Sequence, residues 1–284
     1  MERERGMIVL HIRRAIAYLV LVFLTILCLF FFYVLLINAT RAHTDIQKGF
    51  SAVPGKAFLI NFHNLMANKN LPVLKGIFNS LFVAAVSAVL TTYFSALTAY
   101  AIHVYEFKLK KAAFTFIMMI MTIPTQVSAL GFVNLMRKMN LIDSFIPLIL
   151  PAVAAPVVFF FMIQYMQSSL PLEIVEAARI DGAGEFYTFN TIVMHIMKPA
   201  LAVQAIFAFV TSWNNYFIPS LIINSAEKKT LPILIAQLRS ADFLKFDMGQ
   251  VYMLIAISIF PVMIVYFCLS KFIVQGVALG SVKG

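Results

Sequence analysis

Six stretches of this chain, roughly 16 to 37, 78 to 102, 112 to 135, 145 to 166, 200 to 223 and 250 to 270, contain no Asp, Glu, Lys, Arg or His. At 1.5 Å of rise per residue, an apolar helix of about 20 residues spans the ~30 Å hydrocarbon layer of a bilayer. Inside that layer no water satisfies backbone donors and acceptors, so each segment must bond to itself as a helix. The expected fold is therefore an all-α polytopic membrane protein with six transmembrane helices. Basic residues Arg3, Arg5, Arg13 and Arg14 precede the first run in the manner of a secretory leader. Its apolar stretch nevertheless exceeds the ~7–15 residues of such a leader, so it is read as a retained anchor.

Composition supports the same reading: 62% of the 284 residues are apolar and 12% charged, against roughly 45–50% and 25% in soluble domains. The net charge of +10 comes from Lys and Arg scattered along the links between apolar blocks, which suits a membrane surface and not nucleic acid. Links at 38 to 77, 103 to 111, 136 to 144, 167 to 199 and 224 to 249 are too short for a second folded domain, so residues 1 to 284 form one transmembrane domain. Cys28 and Cys268 lie in the first and last runs, lack disulfide-framework or metal-site spacing, and are expected to be packing residues. Cytoplasmic links usually carry more Lys and Arg than outer ones, but this chain places 11 on each side. Charge alone leaves the orientation open.

The runs contain no ionisable anchor of the kind that ion-coupled carriers and voltage sensors hold at membrane depth. The chain also lacks a Gly-x-x-x-x-Gly-Lys-Ser/Thr loop; Gly55-Lys56 has neither the upstream glycine nor the following hydroxyl. No catalytic residues and no metal ligands stand out, so the chain is read as no enzyme, and if ATP drives it another protein hydrolyses the ATP. Amides, hydroxyls and aromatics do occur within the runs, notably Gln126 and the cluster Trp213, Asn214, Asn215 and Tyr216. An unpaired amide in hydrocarbon costs several kcal/mol, so these groups must face other helices or a wet cavity. Neutral hydrogen-bonding groups beside aromatic rings suit an uncharged, polyhydroxylated solute, and these five residues are candidates for lining a pathway. Interhelical hydrogen bonding is the competing reading.

The link QSSLPLEIVEAARIDGAGEFYTFNTIVMHIMKPA is the most informative segment. Ser169 and Pro171 are helix start signals, Glu173 and Glu176 sit early, where the helix dipole favours acidic side chains, and Gly182 with Gly184 stops the helix. The spacing predicts a short helix with Ile174, Ala177 and Ala178 on one face, its two alanines leaving a low ridge another protein could approach. Glu176-Ala177-Ala178 followed by Asp181-Gly182 resembles the signature loop of permease subunits of binding-protein-dependent ATP-binding-cassette importers. The family pattern continues with Ile-x-Leu-Pro, where this chain has Ile192, Val193, Met194 and His195. The run SLPLEIVEAARIDGA, Trp213-Asn214-Asn215, Leu231-Pro232 and the tail from Gly276 to Gly284 resemble the sugar-transporting branch, in particular the smaller partner of the maltose-type pair.

That resemblance implies a type I importer permease fold with a cytoplasmic coupling helix, in a prokaryotic plasma membrane, both termini inside. It implies docking of Glu176, Ala177, Ala178, Asp181 and Gly182 against an ATPase, and a tail, 271 to 284, whose Gly276, Gly280 and Lys283 reach the ATPase interface. The implied partners are a sister permease in a heterodimer, two ATP-binding-cassette ATPase subunits and an extracytoplasmic sugar-binding protein. The sugar is the cargo, membrane lipid the surroundings. ATP and Mg belong to the ATPases and no cofactor to this chain. Competing readings are a permease for another solute, such as glycerol phosphate, an ion-coupled carrier, and a membrane scaffold.

Overall fold

The structure is a computed structural model describing residues 2–68, 70–240 and 246–280, with side chains for 10–68, 70–240 and 246–272. Its helices are α1 (Glu2–Ala39), α2 (His43–Gln47), α3 (Phe58–Ala67), α4 (Val73–Val104), α5 (Lys110–Ile120), α6 (Thr125–Lys138), α7 (Ile146–Ile149), α8 (Pro156–Ser169) and α9 (Leu172–Ile180). They continue with α10 (Glu185–Ile196, containing a π-helical turn at Thr188–Val193), α11 (Lys198–Trp213), α12 (Phe217–Ile222), α13 (Leu231–Arg239) and α14 (Met248–Gly280).

Four segments are long and apolar enough to cross a membrane alone: Leu10–Ala39, Val73–Val104, Ile146–Ser169 and Met248–Phe272. Six result only if each of two bent pairs counts as one span: α5 with α6, at 98°, and α10 with α11, at 82°. Proline accounts for both breaks. Pro124 caps α6 and Pro199 lies in the first turn of α11; neither can donate a backbone hydrogen bond to a preceding turn. The apolar run expected over 200 to 223 is interrupted too, because α11 ends at Trp213 and α12 begins at Phe217. Hydrophobicity alone could not register these breaks. Cys28 and Cys268 are free and exposed, which corrects their expected packing role; an apolar side chain in lipid needs no protein neighbour.

The chain divides into two compact units. One comprises Met1–Lys69 and Gln237–Ile257. Here Arg41, 7% exposed, donates to Asn38 Oδ1 at 3.1 Å, to the Gly49 carbonyl at 2.9 Å and to the Asp45 carbonyl. Asn61, also buried, donates both amide hydrogens to the carbonyls of Ala39 and Arg41, each at 2.9 Å. The loop after α1 is thus folded around two buried polar side chains whose bonds are satisfied, the condition for keeping them out of water.

The other unit comprises Asn70–Ala236 and Ser258–Gly284 and is built on α4. Ala84, Ala88, Thr91, Ser95 and Ala99 make a buried stripe at three- and four-residue spacing, and these small side chains let α8 and α11 pack closely against α4. Toward the end of α4, its Tyr100 joins Phe159, Met162 and Met166 of α8 and Phe189 and Val193 of α10 in one apolar cluster. Lipid tails are as apolar as leucine, so such clusters hold by close packing and buried polar contacts. One of these contacts runs from Thr91 Oγ1 to the Ala152 carbonyl, 2.9 Å.

Candidate functional site

Helix α9 starts after Pro171, which sits in the extended N-cap position, and places Glu173 in its first turn. It ends in a two-bond αL motif. The Gly182 amide donates to the Arg179 carbonyl at 3.0 Å and the Ala183 amide reaches back to the Ala178 carbonyl at 2.9 Å, the pattern of a Schellman C-cap. Gly182 has φ +79°, so glycine here serves the backbone.

The buried stripe of α9 is Val175 and Ala178, 1% and 6% exposed. The expected common face of Ile174, Ala177 and Ala178 is therefore split: Ala178 points inward, Ile174 lies at the flank and Ala177 faces away, both of them exposed. At 100° per residue the inward direction falls between Val175 and Ala178, and Val175 was the apolar position the spacing argument left out. The outward face carries Glu176, Ala177, Ile180 and, at the turn, Asp181. Ile180 is 86% exposed, and Glu176 makes no ion pair with any described residue.

The second half of the loop holds a carboxylate that sequence reasoning missed. Glu185 opens α10 and accepts from three donors: Arg179 Nε to Oε1 at 2.6 Å, and the Tyr105 and Tyr100 hydroxyls to Oε2 at 2.6 and 2.9 Å. The Arg179 guanidinium also lies over the Tyr105 ring, 5.5 Å from its centroid. These donors, Arg179 first and Tyr105 next, lower the Glu185 carboxyl to about 2, so it is ionised at any physiological pH. Tyr100 and Tyr105 lie 85 and 80 residues away in sequence, which is why no local motif announces them. Alongside, His103 Nε2 donates to the Leu170 carbonyl at 3.1 Å, and Phe189 packs between Tyr93 and Tyr100, with ring centroids 5.7 and 5.4 Å away. The π-helical turn keeps Phe189 and Val193 both inward; such turns widen a helix locally and are frequent at functional sites. His195, where the family pattern has proline, lies exposed with Lys198 Nζ 3.0 Å from its Nε2.

The candidate pathway residues do not form one surface. Trp213 is 3% exposed and stacks on Phe209, centroids 5.8 Å apart and rings within 16°; its ring faces the interior of this chain. Asn214 and Tyr216 are exposed and Asn215 half-buried, all three in the break between α11 and α12. Gln126 is exposed in the first turn of α6, beside the other break. Both groups of polar residues thus sit where a bent span frees backbone groups. Gly276 and Gly280 are carried in α14, and Lys283 lies outside the described residues.

At the other end of α4 a cleft of about 540 Å³ is lined by Lys75, Asn79, Asp143, Ser225, Glu227 and Lys228, among others. Asp143 adopts φ +60° and accepts from the Asn224 and Ser225 amides at 2.9 and 3.0 Å and from the Ser225 hydroxyl at 3.0 Å, with Lys228 at 3.4 Å. The two amide donors lead the lowering of its carboxyl to about 2. Among the described residues no cluster of three or more His, Cys, Asp or Glu side chains is placed to hold a metal ion.

Residues 92–279 match the family model described as binding-protein-dependent transport system inner membrane component. The arabinooligosaccharides transport system permease protein AraQ of Bacillus subtilis (strain 168) is 32% identical over 266 residues, 92% of either chain. The lactose transport system permease protein LacG of Rhizobium radiobacter is 28% identical over 94% of this chain and 96% of its own. In backbone, the chain is similar to one from a bacterial ABC transporter involved in the import of the acidic polysaccharide alginate, with a TM-score of 0.78 at 20% identity over 92% of this chain and 96% of that one; this is a likeness of fold.

Proposed function

This chain belongs to the family of binding-protein-dependent transport system inner membrane components, and from that premise we propose that it is the pore-forming subunit of an ATP-driven importer whose cargo is an uncharged sugar. It works beside a sister permease, with two ATPase subunits on the cytoplasmic side and a sugar-binding protein on the outer side. Residues 167 to 199 and both termini are cytoplasmic. The observation that carries the reading is α9, a short helix fixed to the bundle by Val175 and Ala178 that presents Glu176 and Ile180 outward, Glu176 with no ion-pair partner among the described residues.

Rigid-body coupling supplies the mechanism: closure of the ATPases moves α9, and the bundle passes between two arrangements of which ATP favours one. Glu176 pairs with a basic group of the ATPase, Ala177 permits close approach, Ala178 anchors the helix, Gly182 shapes its end and Asp181 lies at that exposed end. Gly276, Gly280 and Lys283 extend the same interface from the tail. Gln126, Asn214, Asn215 and Tyr216 contribute neutral donors and acceptors to the pathway, and Trp213 braces the break that displays three of them. The arabinooligosaccharide and lactose relatives support a carbohydrate cargo.

The test is ATP hydrolysis by the importer purified intact and reconstituted in lipid vesicles, with and without binding protein and sugar. Stimulation by both supports the reading. Glu176→Lys should leave the chain inserted and abolish ATPase co-purification; sugar-stimulated turnover at the normal rate in that variant would contradict the docking role.

A further inference from the structure

A helix that is not a chain neighbour of the coupling loop also holds it. Loop residues 170–185 are covalently continuous with α8 and α10, yet their polar attachments converge on the end of α4. His103 holds the Leu170 carbonyl just before α9, and Tyr100 and Tyr105 hold Glu185 just after it. Glu185 in turn holds Arg179 in the last turn of α9, so one carboxylate ties the docking helix to α4 through a charge-assisted bond on each side. Charged partners make such bonds shorter and about twice as strong as neutral ones.

The opposite end of α4 is attached with equal definition. Lys75 pairs with Glu227 at 2.8 Å, and Asn79 Nδ2 donates to the carbonyls of Glu227 and Lys229 at 2.8 and 3.0 Å. The Leu231 amide donates to Ser80 Oγ at 2.7 Å. Between these ends α4 runs unbroken for 32 residues, about 48 Å. The neighbouring spans on either side of the loop sequence are interrupted: Ile146–Ser169 passes through a 3₁₀ turn, and α10 meets α11 at 82°. A continuous helix keeps its i→i−4 hydrogen-bond ladder along its whole length, whereas a kink interrupts that ladder at the break.

We propose that Glu185 is a positioning residue that latches the coupling loop to α4, making α4 the rod through which movement of the loop reaches residues 227–231 at the far end. This rests on the docking role given to α9 above. In this arrangement the ATPase acts on α9, Glu185 transmits the displacement to Tyr100 and Tyr105, and Asn79 and Ser80 deliver it to the link that precedes α13.

The experiment uses the complete importer in lipid vesicles and reads sugar transported per ATP hydrolysed. Glu185→Gln keeps the side-chain size and an acceptor for the tyrosines but removes the charge that Arg179 meets. We expect normal assembly, preserved basal ATP hydrolysis, and a fall of roughly tenfold in sugar moved per ATP, the factor expected for one charge-assisted bond. Tyr100→Phe combined with Tyr105→Phe leaves Arg179–Glu185 intact and should lower the same ratio, and Asn79→Ala should do so from the other end of α4.

A Glu185→Gln importer that assembles and moves sugar per ATP at the normal ratio overturns the proposal. So does one that assembles poorly while the assembled fraction is normally coupled, since that describes a merely structural bond. Failure of the underlying reading looks different: the unmodified complex would then show no sugar-stimulated ATP hydrolysis, and Glu176→Lys would have no effect on ATPase binding.

Discussion

The end of α9 offers a test in which backbone strain can be separated from steric clash. Gly182 sits at φ +79°, and a Cβ built there meets nothing within 4 Å. Any cost of substitution therefore comes from the left-handed backbone, roughly 1–2 kcal/mol for an ordinary L-residue and less for Asn, which tolerates that region. If the strained loop gives way to other conformations, the fraction able to dock falls in proportion, so Ala at 182 should weaken ATPase binding by roughly fivefold to thirtyfold. Gly182→Val should be worse than Gly182→Ala, because a β-branched residue is a stronger outlier at positive φ, and Gly182→Asn should lie closest to glycine. The assay is equilibrium binding of purified ATPase subunits to the permease pair in lipid nanodiscs, with insertion of each variant checked separately. A Val variant that binds as tightly as glycine would refute the argument, as would an Asn variant as poor as Val.

Elsewhere in the chain, Gly249→Ala places a Cβ 2.6–2.8 Å from the Asn61 side chain, whose two buried hydrogen bonds are worth about 1–3 kcal/mol if one partner is lost. Alanine's gain of about 1 kcal/mol in helix propensity opposes this, so a lower melting temperature in detergent is the expected sign and an unchanged or higher one counts against it. Asp143 has its pKa depressed from 3.8 to about 2. Its contribution is therefore complete above about pH 4 and lost as pH falls toward 2. Asp143→Asn should leave the link at 224–228 easier to proteolyse at pH 7, and equal susceptibility of the two proteins there would contradict the assignment. Trp213→Ala, at a site 3% exposed, should destabilise the chain by about 3–5 kcal/mol, whereas Tyr216→Phe should stay within about 0.5 kcal/mol. Thermal melts that rank them the other way would move Trp213 out of the packing role.

Much of this protein is legible in its sequence because the bilayer simplifies the problem. Uncharged runs must be helices, since lipid offers backbone groups no other partner, and the spacing of Glu176, Ala177, Ala178 and Gly182 is local enough for one helix and its C-cap to be read directly. What depends on direction in space is not written at that range. The inward face of α9 is set by the apolar cluster in which Val175 joins residues of α4, α8 and α10, so Val175 and Ala178 are buried while Ile174 and Ala177 are exposed. Trp213 belongs with its polar neighbours in sequence, yet α11 turns its ring onto Phe209 and leaves Asn214 and Tyr216 outside. The Glu185 clamp lies furthest from inspection: its four side chains come from the end of α4, the cap beyond it, α9 and α10, and only folding brings Tyr100 within 2.9 Å of a carboxylate 85 residues away. Apolar length is a property of a segment and survives in one dimension, whereas a hydrogen bond across the bundle exists only once two segments have been packed together.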